Sequence, residues 1–164
     1  VAALRNILWF VSTVPTFTQN LDRISRDLAL SKEYVYDYLE YLERAGLLRS
    51  LRHNESGFRR IRKPGKVYFE NTNLTQAIAG TQASGADIGA IRETFFANQT
   101  SMNHRVDLHA TADFVVDGTL VVEVGGQAKK NEQIRDIANA IVAADNIEIG
   151  TGSRIPLYLF GMMY

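Results

Sequence analysis

The stretch Ala112 to Val124, ADFVVDGTLVVEV, constrains the chain most, because it sets two carboxylates, Asp113 and Glu123, on two adjacent apolar strands around Asp117-Gly118. Phe114, Val115, Val116, Leu120, Val121 and Val122 are bulky or β-branched and read as a mostly buried hairpin. An ionised carboxylate there is costly unless it is paired or bound to a cation. Two readings stay open: the acids hold a metal, or they lie at strand ends and reach solvent or an arginine. Strand parity separates them. A two-residue turn at Asp117-Gly118 sets Asp113 opposite Val122 and sends Glu123 to the other face. A three-residue loop, Asp117 to Thr119, sets Asp113 opposite Glu123, with Cβ atoms about 5 Å apart. The metal reading requires the second case.

With 164 residues, 46% hydrophobic and 22% charged, the chain can build one sizeable core or two small ones. No apolar run approaches the roughly 20 residues that span a bilayer, and no charged-then-apolar leader opens it. The absence of cysteine excludes disulfides and thiolate metal sites and fits a cytoplasmic location. The first residue is Val, as in a piece of a longer protein.

Net charge is zero, yet eight Lys or Arg fall between Arg44 and Lys66 against the single acid Glu55. That shift marks organisation. Two domains are expected, 1–80 and 81–164, divided at the small and polar run GTQASG.

In the first half, Leu4, Ile7, Leu8 and Val11 repeat at helical spacing, as do Leu21, Ile24 and Leu28. A third helix starts at the N-cap Ser31, buries Val35, Tyr38, Leu39 and Leu42, and stops at Gly46. Leu47 to Leu51 and Phe58 to Phe69 then alternate as two strands. Three helices and a basic hairpin predict a winged helix-turn-helix. Its third helix would enter a DNA groove, but its outward positions Lys32, Glu33, Tyr36, Asp37, Glu40, Glu43 and Arg44 carry four acids against two bases. Sequence reading is therefore not expected. Weak, salt-sensitive, non-specific nucleic-acid binding through Arg59, Arg60, Arg62 and Lys63 is. Tyr34, Tyr36, Tyr38 and Tyr41 suit a protein interface as well as a core.

The second half predicts a helix over 87–99 with Ile88, Ile91 and Phe95 on its apolar face and Glu93 and Phe96 on the flank. A strand from Arg105 to His109 follows, then the hairpin. Ile134, Ile137, Ala138 and Ile141 predict a helix over 131–144, and the apolar run from Ile155 to Phe160 predicts a central strand. The result is an α/β (α+β) layer able to bring Glu93, Asp113 and Glu123 together. His104 and His109 read as surface or strand-end residues.

The order helix-Glu, strand-Asp, strand-Glu resembles the PD-(D/E)XK nuclease fold, matched by Glu93, Asp113 and Glu123. Where that motif has lysine, this sequence has Gly125. The stretches YVYDYLEYLERAGLL, KPGKVYFENTNL, IRETFF, ATADFVV, VVEVGG and IPLYLFGMMY are together similar to the C-terminal region of a prokaryotic family of AAA-type ATPases. That resemblance implies an upstream ATPase domain as partner, a winged helix, and a restriction-endonuclease-like domain of unknown function. The chain itself has no P-loop, since Pro64-Gly65-Lys66-Val67 lacks the leading glycine and the hydroxyl residue. In such a site Asp113 and Glu123 would hold Mg²⁺, and a lysine would orient the nucleophile. Lys129 and Lys130 are expected to be solvated charges opening the next helix, with no amine reaching the acids. The expected function is therefore domain contact or non-specific nucleic-acid binding with a degenerate site, and the alternative is a Mg²⁺-dependent nuclease.

Overall fold

A computed structural model describes residues 2–13, 21–53, 65–80 and 87–163. The basic residues Arg59, Arg60, Arg62 and Lys63 lie outside the described residues. Helices α1 (Ala2–Thr13), α2 (Leu21–Asp27) and α3 (Lys32–Arg44) lead into strands β1 (Leu48–Leu51) and β2 (Lys66–Phe69), which pair antiparallel. The Ser31 hydroxyl caps α3 by accepting from the Tyr34 amide at 3.3 Å. At its other end, Gly46 at φ +69° lets the Gly46 and Leu47 amides return to the carbonyls of Glu43 and Leu42. Ile7, Phe10, Val11, Ile24, Val35, Leu39 and Leu42 pack with Leu48, Val67 and Phe69 into a first core. The outward positions of α3 are exposed as expected, except that Glu43 is half-buried.

Helix α4 (Thr72–Ala79) has no counterpart in the sequence reading. Asn71 caps it, accepting from the Asn73 amide at 2.7 Å, and Leu74 and Ile78 pack on the first core.

The second half is a mixed five-stranded sheet in the order β3 (Val106–Leu108), β4 (Phe114–Val116), β5 (Leu120–Gly125), β6 (Ala140–Ala144), β7 (Arg154–Pro156). It is antiparallel up to β5 and parallel from β5 to β7. Helix α5 (Ile88–Thr100) and a C-terminal 3₁₀ turn (Leu157–Met162) cover one face, where Phe96 stacks on Phe114 and meets Phe160 edge-on. Val115, Val121, Val142 and Ala144 face the other way and pack with Ile134 and Ile137.

Three expectations are corrected. Residues 131–144 are not a helix but a 3₁₀ turn, Glu132–Ile134, followed by β6. Asn139 at φ +55° breaks any helical continuation, and the run Ala140–Ala144 is a strand buried between two neighbours. The final strand is short and at the sheet edge rather than central: Pro156 has no N–H to extend a ladder, and the chain turns to 3₁₀. On α5 the buried residues are Thr94, Phe96, Ala97, Asn98 and Thr100, whereas Ile88 is 54% exposed. The helix touches β2, α4, β5 and the C-terminal turn, so a single amphipathic stripe does not describe it.

The β1–β2 hairpin is shared between the two cores. Alternation sends Val67 and Phe69 to the first core, and puts Tyr68 with Leu51, Phe96 and Phe114 in the second. Lys66 shares the parity of Tyr68. This is what brings a strand of the first half to the acids of the second.

Candidate functional site

The hairpin register meets the condition that sequence parity set. Phe114 pairs with Val122 and Val116 with Leu120, so the loop is Asp117 to Thr119, closed by the Thr119 amide on the Val116 carbonyl at 3.1 Å. Asp117 and Gly118 both take positive φ, +50° and +72°. Continued one step, this register sets Asp113 opposite Glu123. Asp113 stands just before β4, and its Oδ2 accepts the Val124 amide at 2.8 Å. Glu123 lies within β5 between β4 and β6, only 3% exposed. Glu93 approaches from α5, its Oε2 accepting from the Tyr68 hydroxyl at 2.8 Å and from Lys66 Nζ at 3.1 Å. Lys66 also lies 3.9 Å from Asp113 Oδ1, so one ammonium bridges two of the acids.

Lys129 is where the structure departs most from expectation. It is not a solvated charge: its Nζ lies 2.5 Å from Glu123 Oε1. Gly125 makes this possible. A Cβ at that position would meet Lys129 Cγ at 2.6 Å, Cβ at 2.7 Å and Cδ at 2.8 Å, so the lysine stem fills the space a side chain would take. The turn that carries it closes with the Lys129 amide on the Gly126 carbonyl at 2.9 Å. Arg154 on β7 holds the turn with a fork, Nη1 on the Lys129 carbonyl at 2.6 Å and Nη2 on the Gln127 carbonyl at 2.7 Å. Lys130 pairs instead with the exposed Glu132.

The electrostatics show a shared charge cluster. Burial pushes the Glu93 carboxyl above its ordinary value and the Asp113 charge adds to it, against the pull of Lys66 and the Tyr68 hydroxyl. Burial, then the charge and hydrogen bond of Glu93, hold the Tyr68 phenol well above its usual range. For Lys129, burial acts to lower the pKa, but the hydrogen bond and charge of Glu123, with Asp113 and Glu93, outweigh it and raise the ammonium. Lys129 thus stays charged at neutral pH and cannot serve as a base there.

Lys66 thus links Glu93 to Asp113, the hairpin register sets Asp113 opposite Glu123, Lys129 holds Glu123 and Tyr68 holds Glu93. Lys66 and Tyr68 escaped the sequence reading because nothing in it placed β2 against α5. The histidines are engaged elsewhere. His104 Nδ1 meets Asp117 Oδ2 at 2.8 Å at the hairpin tip, and His109 Nδ1 accepts the Thr111 and Ala112 amides. Among the described residues no three of His, Cys, Asp or Glu are grouped so as to hold a metal ion. Mg²⁺, however, is ordinarily bound through one or two carboxylates with water and phosphate completing its shell. Asp113 and Glu123 fit that smaller requirement, since the buried Glu123 Oε2 has no hydrogen-bond partner among the described residues. The chain matches no protein-family model, no curated protein and no solved structure.

Proposed function

We propose that this chain is the nuclease-like end of a AAA-type ATPase, a winged helix-turn-helix joined to a restriction-endonuclease-like domain, and that its acid cluster hydrolyses phosphodiesters with Mg²⁺. The observation that carries the reading is the Lys129 ammonium on Glu123 above Gly125. A lysine missing from the motif position is supplied from four residues further on. Asp113 and Glu123 would hold the ion, with Glu123 Oε2 as an open ligand. Mg²⁺ bound there would supply water activation and charge neutralisation. Lys129, kept protonated by its neighbours, would stabilise developing phosphate charge and orient the attacking water rather than take a proton. The basic run Arg59, Arg60, Arg62 and Lys63 would add non-specific, salt-sensitive attraction for a polyanion.

One observation favours the contact reading instead: Lys66 and Lys129 already partner all three acids, which a purely structural network would also do. Cleavage of single- and double-stranded DNA and RNA with Mg²⁺ or Mn²⁺ decides between them, using this chain and its full-length parent. Metal-dependent cutting should fall by about two orders of magnitude or more in Lys129→Met and Glu123→Gln. No cutting of any substrate by the wild-type proteins leaves domain contact or nucleic-acid binding as the function.

A further inference from the structure

The acid cluster contains a cation that the chemistry of hydrolysis does not call for. Lys66 comes from β2, in the other half of the molecule, yet its ammonium lies 3.1 Å from Glu93 Oε2 and 3.9 Å from Asp113 Oδ1 with only 19% of the side chain exposed. A positive charge beside Asp113 repels any divalent ion bound to Asp113 and the open Oε2 of Glu123. We propose that Lys66 is a tethered competitor for the metal, so that the position of the β1–β2 hairpin sets the affinity of the acid site for a divalent cation.

The hairpin fixes where the ammonium sits. Lys66 begins β2, paired to Leu51 of β1, three residues after Lys63, the end of the basic run. Gly65 has no room for a Cβ, which would strike the Leu51 carbonyl oxygen, so the chain entering β2 lies close against β1. Tyr68, on the same face, anchors Glu93 and keeps its carboxylate aimed at Lys66.

This rests on the reading of the acids as a metal site, but its test does not use cleavage. Free Mn²⁺ is counted by electron paramagnetic resonance as the whole chain is titrated. Lys66→Met should bind Mn²⁺ roughly tenfold or more tightly than wild type, as expected when a like charge is removed from partly screened surroundings. Lys130→Met, which removes an ammonium that pairs with the exposed Glu132 instead of the acid cluster, should change it little. A wild type that binds no Mn²⁺ beside a variant that does also supports the proposal. Lys66→Met binding no tighter than wild type, or neither binding, overturns it. Should Lys66→Met fail to fold, reductive methylation of wild-type Lys66, read by peptide mass spectrometry, decides: Mn²⁺ should speed it, and an unchanged rate overturns the proposal. Metal affinity that responds to Lys66 without any nucleic-acid cleavage would sink the nuclease reading and leave this one standing.

Discussion

Gly125 is the residue whose smallness the site depends on. Its neighbour across space is the base of the Lys129 side chain, including Cβ, so an added methyl cannot be accommodated by swinging a flexible tip aside. Gly125→Ala should push Lys129 off Glu123 and leave a carboxylate that is 3% exposed without its cation. Removing one partner of a buried pair is costly, and the solvent reaching Lys129 moderates it, so a loss of about 1 to 3 kcal/mol is expected in urea unfolding. Lys129→Met should cost a similar amount, and the double variant little more than either alone, because both remove one interaction. Additive losses would show that Gly125 and Lys129 act separately. The same pair has a pH signature. The folded pKa of Lys129 lies above 10.5, so its stabilisation is whole below 10.5 and is lost as pH rises through the folded value. Wild type and Lys129→Met should therefore differ in stability at neutral pH and converge in strong alkali.

At the scale of elements, the three-residue loop is the device that puts Asp113 and Glu123 in one register. Its tip is held by Asp117, whose Oδ1 accepts the Arg105 amide at 2.9 Å while Oδ2 meets His104. The hydrogen bond with His104, then that with the Arg105 amide, holds the Asp117 carboxyl below its usual 3.8. A depressed carboxyl stabilises the fold above its unfolded pKa and ceases to do so as pH falls through the folded value, so this clip should open only below pH 3.8. Hydrogen exchange at the Arg105 amide reads it: protection should drop there in wild type and be weak at every pH in Asp117→Ala. The hairpin, α3 and the acids were legible because capping, parity and turn residues act locally. Residues 131–144 were not, since Ile134, Ile137 and Ile141 fall at helical spacing by coincidence, while a strand buried between two neighbours shows no period at all. Asn139 and the Asp145-Asn146 pair were the available signals against a helix. Lys129 was visible as a lysine near the motif, but whether its stem crosses Gly125 depends on the Arg154 fork from a strand 25 residues away.

For the whole molecule, the question is whether the halves fold as two bodies or one. The hairpin argues for one. Leu51 and Tyr68 are buried in the second core while Leu48, Val67 and Phe69 are buried in the first, so neither core closes without the same two strands. Polar contacts cross the same seam: the Asn98 side-chain amide donates to the Phe69 carbonyl at 2.9 Å, and the Leu108 amide to the Arg52 carbonyl at 2.8 Å. Losing the hairpin would strand Glu93 and Asp113 without Lys66, adding an electrostatic penalty to the apolar one. The two halves should therefore melt in one transition. Trp9, the single tryptophan, lies on α1 and reports the first half, while the infrared β-sheet band is dominated by the five-stranded sheet of the second. Their thermal midpoints should coincide. Leu51→Ala, which opens a cavity in the second core from a strand of the first half, should lower both together, by about 2 to 4 kcal/mol of stability. Midpoints that separate, or a sheet transition that shifts while Trp9 stays put, would show two independent domains and leave the hairpin no means of carrying motion from one half to the acids of the other.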